Sequence, residues 1–197
     1  MTNTMWHLYY SGVDVVDANE EWRQLHLNNE ICSKCGNYSP RKSPSVELIV
    51  EQKIPKNSDM FTTGYLAPSI MSTRMREVLP EQVEDVIDFG SIFFSNHSKK
   101  IETHVAYVGK FPWVLLFGDQ PDFIDGQPVT DPHIFTCEGC GIRHGYGRGK
   151  KYIDTKVSLV HDISWSDFGG ILISDQIMQL FTGIKLKNVR IEKIEIR

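Results

Sequence analysis

The sequence predicts an α+β fold made mainly of antiparallel strands with a few short helices, divided into two similar halves. Apolar runs such as "SIFF" and "WVLLF" have the length of strands. Only two segments combine a serine N-cap with apolar residues at helical spacing. The third observation is a matched pair of cysteine motifs, "CSKCG" at 32–36 and "CEGCG" at 137–141.

Composition and charge describe an ordinary globular protein. The 197 residues suffice for a single domain over 1–197, with room for two repeat-like halves at about 1–100 and 101–197 that share one site. A net charge of −4 disfavours nonspecific binding to nucleic acid or to an anionic membrane. The N-terminus lacks a signal-peptide pattern and no apolar run approaches the ~18 residues of a membrane helix, so we expect a cytoplasmic protein.

The predicted elements begin with strands. The extended segments are, in order, "MWHLYY", "VELIVEQ", "VIDFGSIFF", "THVAYVG" and "PWVLLF". Between the second and the third of these, "APSIMSTRMREVLPEQ" predicts a short helix, with Ser69 or Ser72 as its N-cap and Pro80 near its end.

The remainder of the chain alternates loops with extended segments. Turn-forming residues predict a long surface loop in "GDQPDFIDGQPVTDP" and another loop in "HGYGRGKK", followed by a strand-like "YIDTKVSLVHDI". The segment "ISDQIMQLF" predicts a helix with Ser174 as its N-cap and Gly183 as its C-cap. The tail "IKLKNVRIEKIEIR" predicts a terminal strand with one exposed face.

A fixed offset relates the two halves. The cysteine motifs are 105 residues apart (137 − 32), and the same offset aligns Gly36 with Gly141, Gly64 with Gly169 and Ser69 with Ser174. The sequence therefore predicts an ancient duplication or two structurally similar halves. Few other positions match, so chance alignment of common residues is the competing interpretation.

The two motifs contain all four cysteines of the chain, Cys32, Cys35, Cys137 and Cys140. Two cysteines separated by two residues can ligate one metal ion from a tight turn, and the following glycine tolerates the backbone conformation of such a turn. Four thiolates make a closed tetrahedral site, which predicts one structural Zn²⁺ per chain, with rubredoxin-like iron as the chemical competitor. Because 101 residues (36–136) separate the motifs, the site is no compact zinc finger; it would join the two halves.

Two other interpretations of the cysteines stay open. Each motif could form its own redox disulfide, although the βαβ context of thioredoxin-like sites is missing. Alternatively, one cysteine pair could bind a metal together with nearby histidines such as His133 and His144. Metal binding by all four cysteines is favoured because cytoplasmic thiols stay reduced.

The sequence shows no catalytic pattern. Its seven histidines form no HxH or HExxH motif, and neither a GxSxG elbow nor a P-loop is present. Arg143, Arg148, Lys150 and Lys151 make a basic patch beside the second cysteine motif, for which a solvated loop is favoured over a phosphate site. We therefore predict a protein that is not an enzyme and that has neither catalytic residues nor residues for an organic cofactor.

The pair of motifs resembles the double-CXXCG motif family, whose members are immunity proteins of bacterial polymorphic-toxin and contact-dependent competition systems. The matching residues are "CSKCG" at 32–36 and "CEGCG" at 137–141. The segment "FGGILISDQIMQLFTGIKLKNVRIEKI" is similar to the C-terminal part of this group. The chain departs from the family in a shorter linker before the Thr-Gly of "QLFTGI" and in fewer tryptophans and prolines between the motifs.

The resemblance implies a cytoplasmic protein that binds a toxin domain and blocks its active site or its folding. An acidic immunity protein suits a basic toxin such as a nuclease, because charge complementarity speeds association. The acidic stretches 81–88 and 119–125 are then the candidate contact surfaces. The alternative function is a zinc-containing nucleic-acid-binding or regulatory protein, which would need a basic face, and a metalloenzyme would need an open metal position.

Overall fold

The computed structural model describes residues 4–11, 16–26, 32–34, 46–63, 68–94, 99–110, 112–124, 126–129, 136–140 and 147–197. The strands, in chain order, are β1 Thr4–Tyr10, β2 Leu48–Val50, β3 Met60–Phe61, β4 Ser69–Ser72, β5 Ile87–Gly90, β6 Ile92–Phe94, β7 Lys99–Lys100, β8 His104–Gly109, β9 Leu116–Gln120, β10 Asp122–Ile124, β11 Gln127–Val129, β12 Arg148–Ile153, β13 Ile163–Trp165, β14 Ile171–Ile173 and β15 Val189–Ile196. The α-helices are α1 Glu20–His26, α2 Thr73–Val78 and α3 Asp175–Met178, and short 3-10 helices occupy Glu81–Asp85 and Gln179–Phe181.

In the described part of the chain the strands form two larger sheets and two smaller ones. A six-stranded sheet has the order β13-β14-β1-β15-β12-β9, and a four-stranded sheet has the order β3-β4-β8-β5. A third sheet contains β2, β6 and β7, and β10 pairs with β11. Apart from β12 with β15 and β2 with β6, the strand pairs are antiparallel. The predicted α+β class, mainly antiparallel strands with a few short helices, is confirmed.

One hydrophobic core contains residues from both larger sheets. Leu8 of β1 and Met71 of β4 are fully buried in the same cluster of apolar side chains. In this cluster Tyr107 of β8 meets Trp165 of β13 edge to face, with ring centroids 5.7 Å apart, a geometry that aromatic pairs favour. The two larger sheets therefore share this cluster, and each also contributes residues to a further cluster of its own.

The two larger sheets contain the same four-stranded arrangement. In each, one central strand lies between two antiparallel neighbours, β8 between β4 and β5, and β1 between β14 and β15. The facing residues correspond in register: Met71–Val105 with Ile173–Trp6, and Phe89–Tyr107 with Ile191–Leu8. Strands β14 and β15 follow β4 and β5 by 102 residues (173 − 71), whereas β8 follows β1 by 99 (105 − 6).

Each arrangement takes its central strand from the other half of the chain. The N-terminal β1 lies among β13, β14 and β15, and β8 lies among β3, β4 and β5. Separating the halves would break the backbone hydrogen bonds along both edges of two central strands. The origin by duplication stays a prediction, but the exchanged strands hold the halves together independently of any metal ion.

The helix after β4 begins directly after Ser72, the second of the two N-caps that the sequence suggested. Ser69 starts β4, and Ser72 is the N-cap of α2, where its Oγ accepts a hydrogen bond from the Met75 N–H over 3.1 Å. Ser174 is the N-cap of α3, as predicted. The two capping serines are therefore 102 residues apart (174 − 72), in agreement with the strands, and the alignment of Ser69 with Ser174 at 105 was wrong.

Three other predictions of elements were wrong in part. The expected loop 118–132 contains the end of β9 and the hairpin of β10 and β11, and Arg148 to Lys151, also expected in a loop, lie in β12. The expected strand 152–163 is extended only at its two ends, because the Asp154 carbonyl accepts from the N–H groups of Val157 and Ser158 and closes a turn. Helix α1 was not predicted at all.

Candidate metal centre

Three of the four predicted metal ligands lie together. The ligand atoms of Cys32, Cys137 and Cys140 are all within 4.8 Å of one another, and the Cys32 and Cys137 Sγ atoms are 3.7 Å apart. A tetrahedral site with metal–sulfur bonds of ~2.3 Å has sulfur–sulfur edges of ~3.8 Å. The spacing fits two ligands of one ion, whereas a disulfide needs ~2.05 Å. These three thiols are not in disulfides and can hold a metal ion.

The cysteines reach this place from distant parts of the chain. Cys32 follows α1 and precedes a turn at 33–34, and Cys137 follows β11 and precedes a turn at 138–140. In the second turn the Gly139 N–H donates to the Cys137 Sγ over 3.3 Å. Since Cys32 and Cys137 are 105 residues apart, one ion bound here would close a long loop of the chain.

The two turns also contact each other directly. A Cβ on Gly139 would lie 2.8 Å from the Cys32 Sγ, so this approach of the second turn to the first requires glycine. Lys34 Nζ and Glu138 Oε2 form an ion pair at 3.1 Å. Both side chains are mainly exposed, and the pair contributes at most ~1 kcal/mol. These contacts were not predicted from the sequence. The signal for them is that one motif has a lysine between its two cysteines and the other has a glutamate.

Cys35, the fourth predicted ligand, lies outside the described residues, and its role stays a prediction. His133 and His144, the alternative ligands, also lie outside them. The 3.7 Å contact joins sulfur atoms of different motifs, which favours one shared site over two separate redox pairs. Soft thiol ligands suit zinc or iron and do not suit magnesium or calcium.

A second polar cluster contains a serine beside a histidine, a pairing that can mark a nucleophile. The Ser166 Oγ is 3.1 Å from the His7 Nε2, but both atoms also contact the Gly169 carbonyl, at 2.8 and 2.7 Å. A carbonyl accepts only, so the Ser166 hydroxyl and an Nε2–H of His7 both donate to it. With its Nε2 protonated, His7 cannot accept the serine proton, and the fully buried Ser166 is out of reach of substrate. The cluster is structural.

Acidification is expected to destabilise the fold through His7. Burial lowers the pKa of His7 below 6.5, opposed by the bond to Gly169 and by the charge of Glu192, so the folded state holds the neutral ring. Its contribution is complete above pH ~6.5 and is lost as the pH falls toward the folded-state pKa, at up to ~1.4 kcal/mol per pH unit. Urea unfolding between pH 7.5 and 5 should show a shallower loss in His7→Gln than in the wild type. Equal slopes would contradict this account, because the other titratable groups are common to both proteins and their effects cancel.

The first predicted contact surface, 81–88, is exposed at four of its acidic or polar residues, and some of its charges are paired. Glu84 pairs with Arg76 at 2.5 Å, and Asp88 pairs with Lys110 at 3.1 Å. Asp85 is exposed, and within the described residues it makes no ion pair. The unpaired negative charge of this stretch is therefore at the exposed 3-10 helix Glu81–Asp85.

The second predicted contact surface, 119–125, lies against the predicted basic patch. Asp122 pairs with Arg148 at 3.3 Å, and Asp119 accepts a hydrogen bond from the Lys150 N–H over 2.9 Å. The Lys151 ammonium donates to the Gly147 carbonyl over 2.7 Å. Two of the three described basic side chains are thus engaged locally, which disfavours a phosphate site; Arg143 and Asp125 lie outside the described residues.

No helix among the described residues is both long and apolar enough to cross a membrane. Comparison of the chain with protein-family models, with curated proteins and with solved structures gave no match.

Proposed function

We propose that the chain is an immunity protein that binds a cognate bacterial toxin domain in the cytoplasm and neutralises it. The observation that carries the proposal is the convergence of sulfur atoms from both CxxCG motifs within 4.8 Å. Convergence makes the two motifs one functional unit, which supports the resemblance to the double-CXXCG immunity proteins. Two CxxCG turns with unrelated roles, 105 residues apart in the sequence, would not be expected to lie in contact.

The metal in this proposal is one structural Zn²⁺ held by Cys32, Cys35, Cys137 and Cys140. Four thiolates leave no open position for water or substrate, so the ion would stabilise the fold without taking part in chemistry. This suits a binding protein, which needs a rigid surface and no reactive groups.

The proposed partner is a basic protein domain, such as a nuclease. The net charge of −4 and the exposed acidic turn at 81–85 provide an attractive field for it. Nucleic acid is not the proposed partner, because phosphate contacts need accessible cations and Arg148 is already paired with Asp122.

Co-expression tests the function. The candidate toxin is the C-terminal region of any large secreted protein found to be encoded beside the gene for this chain, and it is induced in a bacterial host with and without the chain. We expect growth arrest that the chain relieves, together with a stable complex of the two purified proteins. Continued arrest with the chain present would contradict the proposal. Salt-sensitive binding of a short DNA duplex below a Kd of ~1 μM would favour the nucleic-acid-binding alternative.

Replacing Gly139 with alanine is expected to weaken Zn²⁺ binding by about ten-fold or more, since the new Cβ would meet the Cys32 Sγ and push the two turns apart. Competition with a chromogenic chelator measures the affinity. Glu138→Ala is the matched control, because it changes the neighbouring exposed residue and removes only the ion pair with Lys34. Unchanged affinity in Gly139→Ala would show that the turns do not need this contact to bind the metal.

A further inference from the structure

Asp59 anchors a buried polar cluster at the start of β3. Its side chain is only 2% exposed, and its carboxylate accepts from the Ser72 Oγ over 2.6 Å and from the Lys187 N–H over 2.7 Å. Arg74 contacts both carboxylate oxygens, through Nε and Nη2. A planar guanidinium that engages both oxygens of a carboxylate is a strong and directional pairing. The four-stranded sheet, called the first sheet below, thus contains an occupied arginine site.

The six-stranded sheet, called the second sheet below, contains the counterpart of this site. The backbone bond from the Ser72 N–H to the Asp59 carbonyl, 2.9 Å, is matched by a bond from the Ser174 N–H to the Asp162 carbonyl, also 2.9 Å. Both serines are N-caps with extended backbone. The repeat of 102 residues that relates β4 to β14 therefore also relates Ser72 to Ser174, and places Gln176 where the first site has Arg74.

The counterpart lacks the arginine, and its serine hydroxyl is buried without a partner in the portion that the structure describes. Ser174 is 5% exposed, and its Oγ has no hydrogen-bond partner among the described residues. Asp162 is exposed and forms no ion pair within the described part of the chain. In the first sheet the equivalent serine hydroxyl donates to the equivalent carboxylate. The second sheet thus retains the acid and the serine of an arginine site without the cation.

A groove of about 730 Å³ opens at this place. Its lining includes Asp162, Gln176 and Asp85. Asp85 lies two residues before β5, just as Lys187 lies two residues before β15, so Asp85 is the counterpart of Lys187 in the repeat. Apolar walls come from Leu159 and Leu180, which are 75% and 50% exposed.

The other charged or titratable groups of the lining do not compensate these acids. The Lys110 ammonium is bound to the Glu84 carbonyl at 2.6 Å and to the Asp88 carboxylate at 3.1 Å. His161 is exposed at the rim. The groove therefore offers two carboxylates between apolar walls.

We propose that this groove binds an arginine side chain presented by a partner protein, whose guanidinium pairs with Asp162 as Arg74 pairs with Asp59. Asp85 adds a second negative charge, and Leu159 and Leu180 cover the aliphatic stem and the neighbouring apolar residues of the partner. Arginine is favoured over lysine because the occupied site uses two nitrogens of one planar group. The identification of that partner as a basic toxin rests on the function proposed above; the groove itself does not.

The test uses the tripeptide Ac-Leu-Arg-Leu-NH2 as the probe, titrated into the 15N-labelled full chain and followed by NMR. We expect backbone shifts centred on residues 162, 174 and 176, and binding at least about ten-fold weaker for Ac-Leu-Gln-Leu-NH2. In Gln176→Arg the chain supplies its own guanidinium beside Asp162, and we expect the peptide to lose at least about ten-fold in affinity. Gln179→Arg adds the same charge at an exposed position outside the groove and should bind as the wild type does.

Three results would overturn the proposal. They are no shift at about 10 mM arginine peptide, equal affinity for the glutamine peptide, and wild-type affinity in Gln176→Arg. Because the probe is a peptide, the result is independent of whether a toxin is neutralised. Peptide binding without toxin neutralisation would reject only the proposed function, and neutralisation that Gln176→Arg leaves intact would reject only the groove as the toxin contact.

Discussion

Replacing Cys137 with serine is expected to abolish tight Zn²⁺ binding and to lower the free energy of unfolding by about 3–5 kcal/mol. A metal cross-link between Cys32 and Cys137 closes a loop of 105 residues. Closing a loop of about 100 residues removes ~4.7 kcal/mol of chain entropy from the unfolded state in the simplest model. The exchanged strands β1 and β8 still hold the halves together, so we expect a folded but weaker protein.

Zinc content and urea unfolding of Cys137→Ser and Cys32→Ser measure this effect, and the wild type treated with a chelator should match them. The matched control is Lys34→Ala, which removes the ion pair between the same two turns but no ligand and should cost less than ~1 kcal/mol. Wild-type stability in both cysteine variants would refute the metal cross-link. Serine variants that lose stability while the metal-free wild type does not would mean that the thiols stabilise the fold by packing alone.

Replacing Asp59 with asparagine is expected to cost about 2–4 kcal/mol. The substitution keeps the shape of the side chain but removes the negative charge that pairs with Arg74. It also places an NH2 group, which donates, opposite the donor of Ser72 or the N–H of Lys187. Arg74 is 55% exposed and can turn to water, so the cost arises mainly from the buried donors that lose a charged acceptor. These donors belong to β4 and to the segment before β15, so the loss should weaken the contact between the two sheets.

The matched control is Asp162→Asn, the counterpart in the second sheet, which is exposed and should change stability by less than ~0.5 kcal/mol. Burial raises the pKa of Asp59, but the bonds from Ser72, the Lys187 N–H and Arg74, with the charge of Arg74, outweigh burial and hold the pKa below 3.8. The stabilisation is therefore present above pH ~3.8 and is lost as the pH falls below it. Equal unfolding free energies of the two variants at pH 7, measured in urea, would contradict the account.

Much of the fold could be predicted from local patterns, and the failures have local causes too. The apolar run of β1 and the alternating tail of β15 were correctly identified as strands, because periodicity reports burial directly. The local sequence around Ser69 is typical of an N-cap, but Ser69 belongs to a strand because β4 pairs with β8. The sequence 152–163 is rich in β-branched residues, but the turn around Asp154 interrupts it.

The sequence by itself determined the class of the fold, the start of α3 at the N-cap position of Ser174, and the four cysteines of which three are seen to lie close enough to share a metal ion. These follow from periodicity, from local hydrogen bonding and from ligand chemistry, all of which act over a few residues. Only the tertiary structure decided that β1 and β8 exchange between the halves. It also decided that the Asp59 carboxylate is paired with Arg74, whereas Asp162 lines an open groove. Trp6 of β1 pairs with Ile173 of β14 across 167 residues (173 − 6), and even Asp59 and Arg74 are 15 residues apart. No local pattern in one sequence specifies such pairs.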